Sequence, residues 1–320
     1  MHPALSVIFF TTLSGAGYGL LAWSGLAIAL LALRGGLTPA LEHAHLAALA
    51  LGLLLSTIGL LCSLAHLGRP ARAWRAFSQW RTSWLSREGV LAVATPLPVL
   101  GAMLLLWGMP TDGTRAGWLA CLGLLAAALA LATVACTAMI YASLRPIPAW
   151  RHPLVLPVYL LFALLTGLAL QRLAMEVMLP AREAAAMPPL LVLVPAGLLL
   201  AALKWLYWRA IDRAPAPATR GAAVGLPARE LHVFERPHTE ANYVTREMVF
   251  ELARRNAFRL RMAAIAGLVA MPVLGVVLAG LGLVPTLAAT LIATVGLLAA
   301  AFAERWLFFA QARHVVSAYY

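Results

Sequence analysis

Apolar runs long enough to cross a bilayer recur along the chain, and polar residues return between them in short bursts. Eight such runs stand at about 5–33, 46–67, 88–108, 117–143, 154–175, 188–208, 262–281 and 284–307. Each meets the roughly 20 helical residues that a hydrocarbon core requires. Backbone polar groups in lipid must be paired within the segment, and the two-residue alternation of a strand is missing from the sequence, so the runs predict helices. The expected fold is an all-α polytopic membrane protein, a bundle of eight transmembrane helices in a single membrane domain spanning residues 1–320. Pro96, Pro98, Pro157, Pro195, Pro272 and Pro285 should kink or end helices locally. Gly15, Gly17 and Gly19 should leave one face of the first helix thin enough for close packing.

The first run, Leu5 to Leu33, lacks a basic leading segment and is much longer than the apolar core of a signal peptide, so it is read as a retained span. One connection is long. Residues 209–261 leave the apolar pattern, beginning with an Ala-Pro-rich piece from Arg213 to Gly225 that is expected to be extended. After Pro237 a helical pattern returns, with Tyr243, Met248, Phe250 and Leu252 as the apolar positions of an amphipathic helix on the membrane surface or on a docking face.

Composition sharpens the class. Apolar residues make up 62% of the chain and charged residues 11%, against about 25% charged in soluble domains. The formal charge is +12, yet 20 of the 24 basic residues fall on the side that carries the termini and the even-numbered loops, here side A. The positive-inside rule makes side A cytoplasmic in a bacterial inner membrane, and a charge so distributed gives no reason to expect nucleic acid as a partner. Cys62, Cys121 and Cys136 lie in apolar stretches without metal-ligand spacing, which gives no cluster, zinc site or disulfide framework. Of the eight histidines only His66 falls in the membrane end of an apolar run, so a haem held by two facing histidines is not expected.

Chemistry concentrates in residues 62–89, the end of the second run, a side A loop and the start of the third. His66 and Glu88 each lie near the same membrane boundary, where an ionisable pair is a functional hypothesis by default. A quinone needs an apolar slot, a hydrogen-bonding group at each oxygen and a route for protons. His66 can bond one oxygen and Glu88 can relay a proton, with Arg72 or Arg87 holding Glu88 ionised. The plainer reading is that both are boundary groups, Glu88 being favoured by the dipole of a helix start. Trp74, Phe77, Trp80 and Trp84 recur at helical spacing beside Arg75 and Arg81, as either an interfacial aromatic belt or a protein-docking face.

This loop, with its HLGRP and SWLSRE motifs, the opening HPALSVIFFTTLSGAGYGL, the stretch Met139–Trp150 and the stretch Pro237–Met248, resembles the membrane anchor subunits of the dimethyl sulfoxide reductase type of molybdoenzyme over essentially the whole chain. Within that family it is most similar to the anchor of the cytoplasm-facing sulfite:quinone oxidoreductase. The resemblance implies a complex with a molybdopterin catalytic subunit and a four-cluster ferredoxin-like iron-sulfur subunit. It also implies ubiquinone or menaquinone as the exchanged species, and neither haem nor cluster in the anchor itself. It carries the quinone-site histidine and glutamate onto His66 and Glu88, with Gly68 following the histidine, Arg72 and Arg87 as basic candidates, and Tyr141 and Arg145 closing the pocket on side A. The implied function is transfer of electrons from the iron-sulfur subunit to the quinone pool. The rivals are a quinol-oxidising anchor for dimethyl sulfoxide or polysulfide, a secondary transporter, and a purely structural anchor.

Overall fold

A computed structural model describes residues 4–65, 67–108, 112–180, 183–184, 188–214 and 252–315, with isolated positions 221, 224–226, 229, 231 and 234. The described residues form α1 (Leu5–Leu33), α2 (Pro39–Leu64), α3 (Trp84–Ala94), α4 (Pro96–Gly108), α5 (Gly113–Ala142), α6 (Val155–Met178), α7 (Leu193–Arg213), α8 (Leu252–Gly280) and α9 (Thr286–Ala310). A ten-residue 3-10 helix, Pro70–Gln79, lies between α2 and α3. No strand occurs among the described residues. With α3 and α4 taken together, eight helices are long and apolar enough to cross a membrane. The expected amphipathic segment around Tyr243, Met248 and Phe250, and His66, lie outside the described residues.

Several boundaries differ from the apolar runs, because capping sets a helix end where hydropathy does not. The second span begins at Pro39, not at 46. Thr38 Oγ1 accepts a 3.3 Å hydrogen bond from the Leu41 N–H, and Pro39 fills a first-turn position whose N–H has no partner in a helix. That start draws Glu42, His43 and His45 into the helix, and His45 is 2% exposed. The expectation that His66 alone falls within a span is therefore corrected. The third span begins at Trp84 behind the Ser83 cap, which leaves Glu88 one turn inside the helix. Pro96 breaks that span into α3 and α4, whereas Pro272 sits inside α8 without ending it.

Successive spans run up and down, so the start of α1, the 65–83 loop, the 143–154 loop and the ends of α7 and α9 gather at side A. The Trp150 indole N–H donates to the Phe308 carbonyl at 3.0 Å, and Val315 N–H to the Pro146 carbonyl at 2.9 Å, tying that second loop to the end of α9. α1 is the central post, packed on α2, α5, α6 and α9, while α8 and α9 pair beside α7. The small-residue face of α1 explains the close approach. A Cβ on Gly19 would overlap the Ala163 carbonyl oxygen of α6, yet one on Gly15 would meet nothing within 4 Å. Gly15 borders an interior space instead of a neighbouring backbone.

Candidate functional site

The loop between α2 and α3 is folded onto the site. Pro70 starts its 3-10 helix, and the Ser86 hydroxyl of α3 donates to the Ala76 carbonyl. The Phe77 ring lies where a Cβ on Gly89 would meet it at 3.3 Å, so the loop covers the first turns of α3. Arg87 serves this cover. Its Nε donates to the Trp80 carbonyl at 3.1 Å, one terminal nitrogen donates to the Arg81 carbonyl at 2.6 Å, and its guanidinium lies 4.3 Å from the Trp84 ring centre. The expected pairing of Arg87 with Glu88 is not formed, because neighbours on a helix diverge and Arg87 points outward to the loop. Arg72, Gly68 and Arg145 are exposed.

Glu88 points inward. It is 5% exposed and accepts a hydrogen bond from the Thr137 hydroxyl of α5. Tyr18, Tyr141 and Tyr159 stand near enough for its charge to act on their phenols. Tyr141 packs within an aromatic group on side A. Its ring centre lies 5.3 Å from Trp150, 5.7 Å from Phe308 and 5.1 Å from Phe309.

Thr137 also lines an interior cleft between α1, α5, α6 and α9. Hydroxyls border it, and most are spent on their own helices: Thr11 donates to the Val7 carbonyl at 2.9 Å, Ser14 to Phe10 at 2.6 Å, and Thr166 to Phe162 at 2.7 Å. Thr12 Oγ1 and the Tyr159 hydroxyl are buried without a hydrogen-bond partner among the described residues. Apolar walls with a few convergent polar groups, two of them unsatisfied, mark the cleft as a candidate ligand site.

The apolar pattern alone does not reveal the far wall. Lys204 of α7, Glu304 and Arg305 of α9 are 1%, 1% and 3% exposed. Lys204 Nζ lies 2.5 Å from Glu304 Oε1, and an Arg305 terminal nitrogen lies 2.7 Å from Oε2. The Arg305 guanidinium sits 3.5 Å from the Tyr159 ring centre. The side A count of basic residues takes in Lys204 and Arg305, and this is corrected: they belong to the bundle interior. The side A excess survives their removal. A signal for them does exist in the sequence, since an ionisable residue inside an apolar run is functional until shown otherwise. Above this wall His152 accepts from the Leu154 N–H at 3.2 Å through Nδ1. It titrates below the usual histidine range because packing withdraws water from the ring and because Lys204 is near.

A second polar group sits toward side B. Ser24 donates to Gln171 Oε1 at 2.5 Å, Gln171 Nε2 lies 3.4 Å from His45 Nδ1, and Arg115 pairs with Glu42 at 2.9 Å. It is at the opposite end of the bundle from Glu88.

The family model described as the dimethyl sulfoxide (DMSO) reductase anchor subunit, DmsC, matches residues 1–310. This chain belongs to that anchor family. It is also 32% identical to the C subunit of the sulfite dehydrogenase of Allochromatium vinosum, an alignment that covers 100% of this chain and 99% of the relative. The DmsC-family chain is thus an integral membrane anchor subunit, a class that works beside the catalytic and iron-sulfur subunits of a molybdoenzyme complex.

Proposed function

We propose that this chain is the quinone-reducing anchor of a sulfite dehydrogenase complex in the bacterial inner membrane, with side A cytoplasmic. The observation that carries the quinone reading is the placement of Glu88. A buried carboxyl group stands one hydrogen bond from a hydroxyl-lined cleft and directly beneath the loop most suited to hold a partner. That loop presents Trp74 and Trp80, 66% and 54% exposed, each with an arginine beside its ring. Exposed aromatic and arginine side chains are the groups that anchor protein interfaces. The partner expected there is the iron-sulfur subunit, whose nearest cluster must come close to the quinone because this chain offers no described carrier between them.

Reduction of a quinone to a quinol takes up two electrons and two protons. Oxidation of sulfite with one water in the catalytic subunit yields sulfate, two electrons and two protons, so the cycle balances on side A. In this chain Glu88 holds or passes a proton at its carboxyl oxygen, and Thr137 fixes the orientation of that carboxyl group. The 3-10 helix and Phe77 keep bulk water from α3, and the aromatic group around Tyr141 does so at the 143–154 loop. His66, Gly68, Arg72 and Arg145 remain proposed contributors from the loops.

The family description favours a second reading, quinol oxidation coupled to dimethyl sulfoxide reduction. The two are separated by purifying the assembled complex and offering both couples. The proposal expects sulfite-dependent reduction of a short-chain quinone and little quinol-dependent reduction of dimethyl sulfoxide. The reverse result overturns the sulfite assignment.

A further inference from the structure

We propose that the wall opposite Glu88 is the second half of the quinone site: the Tyr159 hydroxyl and Arg305 bind the quinone oxygen remote from Glu88, and Glu304 with Lys204 holds Arg305 in place. This rests on the reading of the chain as a quinone-binding subunit, and goes beyond it by assigning the residues that recognise the second oxygen.

Three independent observations lead there. First, the Tyr159 hydroxyl is buried, borders the cleft and has no hydrogen-bond partner among the described residues. A buried donor left unpaired is costly, so such groups in native proteins ordinarily meet a partner, water or a ligand. Second, Arg305 borders the same cleft and is oriented before any ligand arrives. Glu304 holds one terminal nitrogen at 2.7 Å, while the Tyr159 and Phe162 rings lie 3.5 Å and 5.1 Å from the guanidinium carbon. An arginine carries five N–H donors in a fixed fork, and the Glu304 bond at that one nitrogen leaves donors to face the cleft. Third, Gly15 keeps the opposite lining open, since a Cβ there would meet no atom within 4 Å.

Charge gives the arrangement a direction. The far wall holds two cations, Lys204 and Arg305, around one carboxylate, Glu304, with Arg261 further out near Lys204. On the near side Glu88 stands behind the lining residue Thr137, whose hydroxyl donates to it. A ring bound between them would have one oxygen beside a proton-exchanging carboxyl group and the other beside a net positive wall, which favours electron density building on that oxygen. The ligand class is therefore a flat ring with oxygen acceptors at opposite ends, as in a para-quinone or a hydroxyquinoline N-oxide. A water molecule in the cleft could satisfy the same hydroxyls, and the experiment separates the two.

Tyr159→Phe keeps the ring beneath Arg305 and removes only the unpartnered hydroxyl. Gly15→Leu fills the cleft. In membranes carrying the full chain with its partner subunits, binding of heptyl-hydroxyquinoline N-oxide is titrated by quenching of its fluorescence. Reduction of a soluble dye by the catalytic partner and retention of the partner subunits report assembly. Tyr159→Phe should weaken binding by about tenfold, the size of one good neutral hydrogen bond, and Gly15→Leu should abolish saturable binding, both with normal dye reduction. Parental affinity in either variant overturns the assignment and leaves the cleft to water. Should Glu88→Gln alone lose affinity, the quinone reading stands without this second half. Should none of the three variants alter binding, both fail.

Discussion

Replacing Glu304 with Gln tests the interior charge arrangement most severely. The carboxylate lies between Lys204 Nζ at 2.5 Å and an Arg305 nitrogen at 2.7 Å, with every member at most 3% exposed. Gln keeps the shape and removes the only negative charge between two buried cations. Breaking a buried ion pair from one side costs about 3–5 kcal/mol, because the remaining charge is left uncompensated. Lys204→Met is the informative contrast. It leaves Glu304 and Arg305 as a neutral pair, removes a costly buried ammonium and retains most of the side-chain volume, so its expected cost is below about 1 kcal/mol. The usual conversion is about 2–4 °C per kcal/mol for domains of 150–250 residues. At the lower end of that range, fitting for 320 residues, Glu304→Gln should lower the melting temperature by about 6–10 °C and Lys204→Met by about 2 °C at most. The double variant should recover little, since Arg305 then stands alone. Thermal unfolding of the purified full chain in one detergent, at one scan rate because such melts are often irreversible, measures all three. Equal losses in the two single variants, or a Glu304→Gln melt within about 2 °C of the parent on that same scale, would refute the reasoning.

Gly19→Ala drives a methyl group into the Ala163 carbonyl oxygen, so α1 and α6 must separate at a cost of about 1–3 kcal/mol, whereas Gly15→Ala should melt as the parent does. Replacing Trp80 and Arg81 together with Ala should release the partner subunits from washed membranes without altering their reduction of a soluble dye; retention with normal quinone reduction would make the stripe an interfacial belt. His152 has a lowered folded-state pKa from burial first and Lys204 second, so the unfolded chain takes up its proton at higher pH than the folded one does. Its contribution is present above about pH 6.5 and lost as pH falls. His152→Asn, which retains an acceptor for the Leu154 N–H, should flatten the acid-side decline in melting temperature, and an unchanged slope would remove His152 from that role.

The eight-span architecture is legible in the sequence because span length and hydropathy are set by the bilayer itself. Glu88 is legible for a related reason: a carboxyl group at the edge of an apolar run has few inexpensive explanations. The ends of spans are less readable, since Thr38 and Pro39 start α2 by satisfying backbone groups in a stretch too polar for hydropathy to count. Arg87 shows a different limit. Its adjacency to Glu88 in sequence suggests a pair, but consecutive helix positions point apart, and the Trp80 and Arg81 carbonyls are nearer partners. Lys204, Glu304 and Arg305 cannot be joined from sequence because their partnership depends on how α7 packs against α9 and α6. Likewise, nothing local to Tyr159 says that its hydroxyl borders a cleft with Thr12, Thr137 and Arg305.

The central claim is that Glu88 serves a quinone bound beside it, and one comparison tests this most directly. In the purified, assembled complex, Glu88→Gln keeps the carbonyl oxygen that Thr137 bonds and removes the titratable proton. Steady-state reduction of a short-chain quinone is measured beside oxidation of the partner's substrate by a soluble dye. The account predicts at least about a hundredfold loss of quinone turnover, the lower end of what a positioned acid-base group contributes, with dye-linked oxidation and the stoichiometry of the complex unchanged. Wild-type quinone kinetics in an intact Glu88→Gln complex would contradict it.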